Sequence, residues 1–294
     1  MNILITGING FVGTYLSKEL QNAGHSVFGI DIKSNSDNIY VADICDTYKL
    51  SNIIDIVKPD AIYHLAAIAN VDYNNPQKLY DINVGGTRSI LTSISRLNLK
   101  PYFIFISSSQ VYGNVDESVQ PISETNLISP VNHYGASKAA GESMVMAFGR
   151  EYDIPYIIFR PFNHTGPGQL DTFVVSKIVN HFRQKSSSID LGNINTIRDY
   201  SDVRDIVRAY ASVIACQKTG EVYNVSSNKG ITVLQIVKIL EKLTGRSMTI
   251  NESKYLKRSN EIQSVIGDNS KIIYELNYRV QYEFCKTLTD MLND

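Results

Sequence analysis

Tyr134 and Lys138, four residues apart in the run HYGASK, are the pair whose types and spacing most directly offer chemistry. In a helix, positions i and i+4 lie one turn apart on the same face, so the phenol would stand beside the ammonium group. A phenol titrates near ~10 in water, and a fixed cation within a few ångströms favours the phenolate. The hydroxyl could then exchange a proton with a substrate oxygen near neutral pH. Spacing alone does not decide this, because the chain holds 18 tyrosines and such a pair on a solvated helix face would be inert. A nucleotide site elsewhere in the chain gives the pair its meaning.

That site lies at the start of the chain, where the apolar run ILITG leads directly into Gly7-Ile8-Asn9-Gly10-Phe11-Val12-Gly13. Apolar residues at helical spacing (Phe11, Val12, Tyr15, Leu16, Leu20) predict a helix that stops at Asn22-Ala23-Gly24. A second strand, HSVFGID, ends in Asp31. Glycines at a strand-to-helix turn let the backbone approach a pyrophosphate and leave the helix N-terminal amides free to bind it. An acid about 20 residues further on is placed to accept hydrogen bonds from an adenosine ribose. The spacing is GxxGxxG in place of the commoner GxGxxG, and a lone glycine triplet would make only a tight turn. Strand, helix and terminal acid in register point instead to a dinucleotide site.

A chain of 294 residues can bury a large core, as one large α/β unit or two unequal lobes. Its net charge of −1, from 28 basic and 29 acidic residues, leaves no electrostatic footprint for nucleic acid. Cys45, Cys216 and Cys285 offer neither a disulfide framework nor CxxC metal spacing, so they read as buried or incidental thiols and no metal is expected. The sequence opens on a strand, and no apolar run approaches the roughly 20 residues that span a bilayer. A cytoplasmic protein without a membrane partner is the expectation.

Strands and helices alternate as a doubly wound sheet requires. Ile39 to Asp43 reads as a third strand, Tyr48 to Val57 as a helix broken by Lys58-Pro59-Asp60, and Ala61 to Leu65 as a fourth strand ending in Ala66-Ala67. Small residues at a strand's carboxyl end line the crevice where α/β sheets bind ligands. The segment DINVGGTRSILTSISRLN predicts one helix, and Tyr102 to Ile106 a strand apolar on both faces, followed at once by Ser107, Ser108 and Ser109. The Tyr134 helix and a sixth strand, Tyr156 to Arg160, come next. Beyond Pro161 the pattern changes to the loop PFNHTGPGQ, a helix over Phe173 to Arg183 and the polar link GNINTIRDYSDVRD. A helix over Asp205 to Cys216, a strand over Glu221 to Val225 and a helix from near Thr232 follow. A basic stretch at Lys254 to Arg258 and a short terminal helix end the chain. The expected architecture is α/β, with a doubly wound parallel Rossmann sheet over 1–162 plus 203–226. A smaller C-terminal substrate lobe would occupy 163–202 plus 227–294.

TGINGFVG, the terminal Asp31, His64-Leu65-Ala66-Ala67, the serines before Val111-Tyr112-Gly113, and YGASK together resemble an extended short-chain dehydrogenase/reductase of the NAD-dependent epimerase/dehydratase family, over essentially the whole chain. The resemblance implies that Tyr134 is the proton donor or acceptor, that Lys138 holds the nicotinamide ribose and lowers the phenol's pKa, and that Ser108 hydrogen-bonds the reacting oxygen, with Ser109 the alternative. It implies a cofactor site of Gly7, Gly10, Phe11, Val12, Gly13, Asp31, Asp43, Ile44, Leu65, Ala66, Ala67 and Pro161, beside Tyr134 and Lys138. His64 is expected to be a satisfied core residue. NADH or NADPH is the implied cofactor. Asp31 favours NADH because a carboxylate repels a 2′-phosphate, although Lys33 nearby softens that preference.

The related 4,6-dehydratases carry a Glu immediately before the hydrophobic-Tyr-Gly triplet, where it takes the C5 proton. Here the position is Gln110, and an amide has no proton-accepting role near neutral pH. Dehydration is therefore disfavoured, while reduction and epimerisation stay open. The second lobe resembles the GDP-4-keto-6-deoxy-D-mannose reductases in PFNHTGPGQ, Phe173-Val174-Val175, RDYSDVRD and Val222-Tyr223-Asn224-Val225. By that resemblance Asn163 meets the sugar or its phosphate, Lys177 and Arg198 face the diphosphate, and Arg258 and Glu261 complete the pocket. Val174, Ser108, Ser109 and Gln110 would also line the substrate. One departure is Arg258-Ser259-Asn260-Glu261, where such reductases usually read Arg-Pro before the acid. The implied activity is NAD(P)H-dependent reduction of the C4 ketone of a nucleotide-linked 4-keto-6-deoxy sugar, in deoxysugar synthesis for surface polysaccharide, by a homodimer. A 4-epimerase that keeps its NAD, a dehydratase and a non-catalytic NAD-binding regulator are the alternatives.

Overall fold

Short apolar strands alternating with amphipathic helices bury a parallel sheet between helical layers. A computed structural model describes residues 1–34, 36–216, 218–256 and 262–294. Its elements begin with β1 Asn2–Thr6, α1 Phe11–Asn22, β2 Ser26–Asp31, β3 Ile39–Val41, α2 Thr47–Val57 and β4 Ala61–His64. Then come α3 Pro76–Tyr80, α4 Gly86–Arg96, β5 Tyr102–Ile106, α5 His133–Tyr152 and β6 Tyr156–Pro161. The second half holds β7 Asn163–Thr165, α6 Val174–Arg183, β8 Ser188–Leu191, β9 Ile197–Asp202, α7 Val203–Cys216 and β10 Glu221–Val225. The last elements are β11 Gly230–Thr232, α8 Val233–Thr244, β12 Thr249–Glu252, β13 Ser264–Val265, α9 Ser270–Leu276 and α10 Phe284–Leu292.

The chain divides into two compact units. One comprises Met1–Gly113, Thr125–Pro161 and Val207–Tyr223, and the other Asn114–Glu124, Phe162–Ile206 and Asn224–Asp294. The first unit is built on a seven-stranded sheet of order β10-β6-β5-β4-β1-β2-β3, with β1, β2, β3, β4, β5 and β6 paired in parallel. Strand order reverses at β1, which is where doubly wound sheets bind ligands at their carboxyl ends. On one face Ile54 of α2, Ile90 and Ile94 of α4 and Val145 of α5 pack on Leu4, Ile62, Phe103 and Phe105. On the other, Phe159 lies 4.9 Å from the Tyr210 ring of α7, whose carbonyl accepts a hydrogen bond from Tyr63 Oη at 3.0 Å.

Several details differ from the sequence expectation. Strand β3 ends at Val41, the last residue in register with β2: the Ala42 amide closes that ladder on the Asp31 carbonyl at 3.0 Å, and Asp43 then accepts from the Cys45 amide in a turn. The helix expected from Asp81 begins earlier, at Pro76, and passes through a widened π turn over Asp81–Gly85. Asn114–Glu124, expected in the dinucleotide-binding part, belongs to the second unit. Ile122 exchanges backbone hydrogen bonds with Ile266 and Asp268, and the Gln120 amide bonds Ser264 and Ile266. Cys45 and Cys285 are exposed and Cys216 half-buried, so none is a core thiol.

In the second unit the expected polar link is a strand. β9 pairs antiparallel with β11 and parallel with β13 and β7, and its two acids and Asp205 at the start of α7 are buried with several donors each. Asp199 accepts from Ser227 and Gly267, Asp202 from Arg204 and Thr287, and Asp205 from the Gln281 and Tyr282 amides. The core beside this sheet joins α6, α8 and α10 through Ile178, Phe182, Ile236, Leu240 and Leu288.

Phe105 links sheet packing to the polar groups above it, since its buried ring lies 5.2 Å beneath Lys138 Nζ. Phe105→Ala is expected to cost about 3 to 5 kcal/mol of folding stability, read as a lowered urea midpoint with an unchanged slope.

Candidate active site

The turn after β1 is shaped by what cannot fit there. Gly7 has φ +72°, and a Cβ on it would stand 3.0 Å from the Ala66 backbone. A Cβ on Gly13 would stand 2.4 Å from the Gly7 carbonyl oxygen, so only glycine lets α1 begin this close to the loop. Gly10 is the N-cap of α1, with no side-chain cap and no acid in the first turn, where Phe11 and Val12 are half-buried. This backbone cradle and helix N-terminus fit the pyrophosphate of a dinucleotide. Asp31 at the end of β2 is held beside the loop, accepting from the Asn9 amide at 3.0 Å and the Ile32 amide at 2.8 Å. Leu65, Ala66 and Ala67 follow β4 half-buried, and Ile44 and Pro161 are buried. The first-unit residues assigned to the cofactor lie at the carboxyl ends of β1, β2, β3, β4 and β6, in the first turn of α1 or in α5.

The other polar residues of this unit converge on α5. Asn132 caps the helix by accepting from the Gly135 amide at 2.8 Å, and Tyr134 and Lys138 follow one turn apart, both buried. Ser108 follows β5 and caps the next turn by accepting from the Gln110 amide at 3.2 Å, and its hydroxyl is the side-chain partner that opposes the effect of burial on the Tyr134 phenol. Ser109 is buried in the next turn, and Gln110 Oε1 accepts from Asn132 Nδ2 at 2.9 Å. Lys138 Nζ donates to the Ile106 carbonyl at 2.8 Å. Burial brings Lys138 down to about 8, against the opposing pull of Glu142. The expectation that Lys138 draws the phenol's pKa down is corrected here. Burial pushes Tyr134 up, partly offset by the Ser108 hydrogen bond.

Sequence reasoning overlooked two buried networks. In one, Thr87 Oγ1 donates to the Asn83 carbonyl at 2.7 Å, so it accepts from His64 Nε2, 3.0 Å away. Nδ1 of His64 then accepts from Thr6 Oγ1 at 2.8 Å, and that oxygen receives the Ala66 amide at 3.2 Å. Asn83, in the π turn, bonds Ile68 through both its amide groups and donates to Ser137, which donates to the Tyr134 carbonyl. In the other, Arg160 Nε and Nη2 grip Glu142 at 2.9 and 2.7 Å, Ser107 donates to the same carboxylate, and Arg160 Nη1 reaches Tyr112 Oη at 3.0 Å. Glu142 at i+4 from Lys138 was the one available signal; the remaining partners are too far apart in sequence to be paired by pattern.

Asn163 is half-buried in β7, opposite Tyr200 of β9, and Val174 opens α6. Lys177 Nζ donates to the Asp190 carbonyl at 2.7 Å, and Arg198 Nη1 to the Ile197 carbonyl at 2.8 Å. Arg258 and Glu261 lie outside the described residues. Among the described residues no cluster of His, Cys, Asp or Glu suits a metal ion, and no helix is long and apolar enough to cross a membrane.

The family model described as GDP-mannose 4,6 dehydratase matches residues 4–291. The chain belongs to that family. A GDP-6-deoxy-D-talose 4-dehydrogenase of Aggregatibacter actinomycetemcomitans is 32% identical over 277 residues, 93% of this chain and 90% of the relative. A GDP-6-deoxy-D-mannose reductase of Pseudomonas aeruginosa is 28% identical over 301 residues, 99% of this chain and 96% of the relative. The structure of RMD from Pseudomonas aeruginosa complexed with NADPH superposes with TM-score 0.89 at 27% identity, covering 100% of this chain and 98% of that one. A UDP-glucose 4-epimerase shares the fold, so the fold by itself does not select the reaction.

His64 supplies a test of the first network. Burial, with the Lys138 charge as a second cause, lowers it from 6.5 to about 3. The unfolded chain binds the proton first, so this group's contribution to stability is full above pH 6.5 and is lost as pH falls from there toward 3. Nitrogen-15 NMR should find His64 neutral, protonated on Nε2 and untitrated between about pH 5.5 and 8; a midpoint near 6.5 would contradict this arrangement.

Proposed function

We propose that this protein reduces the C4 ketone of a GDP-linked 4-keto-6-deoxy sugar with NADH or NADPH. The observation that carries the reading is the group of Ser108, Tyr134 and Lys138 at the carboxyl end of β5 and on α5, with the amide of Gln110 in place of a carboxylate beside them. Two relatives named for redox chemistry on GDP-linked 6-deoxy sugars, one of them at carbon 4, support the substrate class.

A bound nicotinamide supplies hydride. Tyr134 gives its phenolic proton to the oxygen at C4, and Ser108 holds that oxygen by hydrogen bonding. A phenol held protonated by burial suits a proton donor at neutral pH. Lys138, with a pKa brought near 8, is poised to return a proton to Tyr134 between turnovers. Gly7, Gly10, Gly13 and the first turn of α1 would hold the pyrophosphate, and Asp31 the adenosine ribose. Lys177 and Arg198 would meet the sugar nucleotide's diphosphate, and Asn163 the sugar, in a homodimer whose state light scattering would check.

Tyr134→Phe should lower kcat about 10³-fold, within the roughly 10²- to 10⁴-fold contribution usual for general-acid catalysis, while the dissociation constant for NADH changes little. The assay combines purified protein, NADH and GDP-4-keto-6-deoxymannose with NMR of the product. Turnover of a sugar nucleotide without added reductant would favour an epimerase instead. Because Asp31 repels a 2′-phosphate, kcat/KM for NADH should exceed that for NADPH by about tenfold, equivalent to ~1.4 kcal/mol; the reverse ranking would remove the ribose role from Asp31.

A further inference from the structure

Glu142 and Arg160 lie beneath Tyr134 and Lys138 and are absent from the chemistry above. Glu142 is 1% and Arg160 3% exposed. Charges so deep are tolerated only when paired and saturated with hydrogen bonds. The bidentate Arg160 grip satisfies one edge of the carboxylate, Ser107 adds a third donor, and the remaining Arg160 nitrogen reaches Tyr112. Three segments therefore meet at one carboxylate: the loop through Ser107 and Tyr112 that carries Ser108, helix α5 and strand β6. Glu142 is also one helical turn beyond Lys138, on the same face.

We propose that Glu142 is a positioning residue for the Ser108, Tyr134 and Lys138 group. Through Ser107 and Arg160 it fixes the loop bearing Ser108 against α5, and its carboxylate keeps the Lys138 side chain charged. This rests on the reductase reading above. The groups facing Lys138 define the balance of charge. Glu142 and Tyr134 stand on its own helix, neutral His64 on β4, the Phe105 ring and Ile106 carbonyl on β5, and Arg160 on β6 with its charge matched by Glu142. Glu142 is the carboxylate among them. Its pull toward the charged form opposes the burial that brings Lys138 to about 8. Replacing it with an amide leaves that burial uncompensated, adds the unmatched cation of Arg160, and so moves loss of the Lys138 proton to lower pH.

Single-turnover reduction of the keto sugar nucleotide by NADH, followed from pH 6 to 10, tests this. Glu142→Gln should move the alkaline fall in rate acidward by at least about half a pH unit. Glu142→Asp, which keeps the charge on a shorter stem, should leave the limb in place with a lower rate. Ser107→Ala should lower kcat about three- to tenfold with KM nearly unchanged and the limb unmoved, as expected when only positioning is lost. A Glu142→Gln profile superimposable on that of the unaltered protein overturns the charge role, and an unaltered kcat in Ser107→Ala overturns the positioning role. Should Glu142→Gln fail to fold, by its far-ultraviolet dichroism and NADH binding, Glu142→Asp and Ser107→Ala carry the decision. An acidward limb in the former, or a normal kcat in the latter, rejects the inference. Activity remaining in Tyr134→Phe would instead reject the reductase reading on which it rests.

Discussion

The first unit depends on polar groups placed where water does not reach them. Moving a carboxylate or guanidinium out of water costs several kcal/mol per ion, and a broken buried pair costs about 3 to 5 kcal/mol. Glu142 and Arg160 meet that cost with two short bonds to each other and further bonds to Ser107 and Tyr112. Such a pair adds less to net stability than apolar residues of similar volume would. What it imposes is geometry, because a carboxylate with three donors and a planar guanidinium fork accept few arrangements. The apolar strands beneath can slide in energy more gently than this pair can.

The His64 network does for the turns after β1 and β4 what the ion pair does for the serine loop. Thr6 and Thr87 can each donate only one hydroxyl proton, so the directions of the bonds are fixed along the chain from Ala66 to Asn83. Asn83 then ties the loop at Ile68 to Ser137 on α5, and Ser137 to Tyr134. The π turn at Asp81–Gly85 belongs to this arrangement: the Asn83 side chain spans Ile68 on one side and Ser137 on the other from that turn. Loop and helix are thus coupled through Asn83 and Ser137.

What the sequence made legible was whatever depends on near neighbours. The glycine turn, the ends of α1 and α2, strand β5 and the i, i+4 placement of Tyr134 and Lys138 are all written within a few residues. The widened turn at Asp81, the strand β9 and the removal of 114–124 to the second unit are not. Each is settled by partners far along the chain: Ile68 and Ser137 for Asn83, Gly267 and Ser227 for Asp199, Ser264 and Ile266 for Gln120. GNINTIRDYSDVRD reads as a polar link because its charges are visible and their partners are not. The same limit explains the phenol. Spacing announces a cation beside Tyr134, but spacing does not reveal that its ammonium turns to the Ile106 carbonyl or that burial outweighs it.

Gln110 separates the demands of folding from those of reaction. Its carbonyl oxygen accepts from Asn132, whose own oxygen caps α5 at Gly135. For holding the start of that helix, the position needs an acceptor, and glutamate would supply one as well as glutamine. For proton abstraction the two differ completely, since only the carboxylate is a base near neutral pH. The buried networks around α5 are indifferent to the exchange, as none of their described bonds involves the Gln110 side chain. On the function proposed above, a fold organised in this way would hold one proton donor and one cofactor cradle in place, while a single half-buried side chain, Gln110, decides whether a base stands beside them.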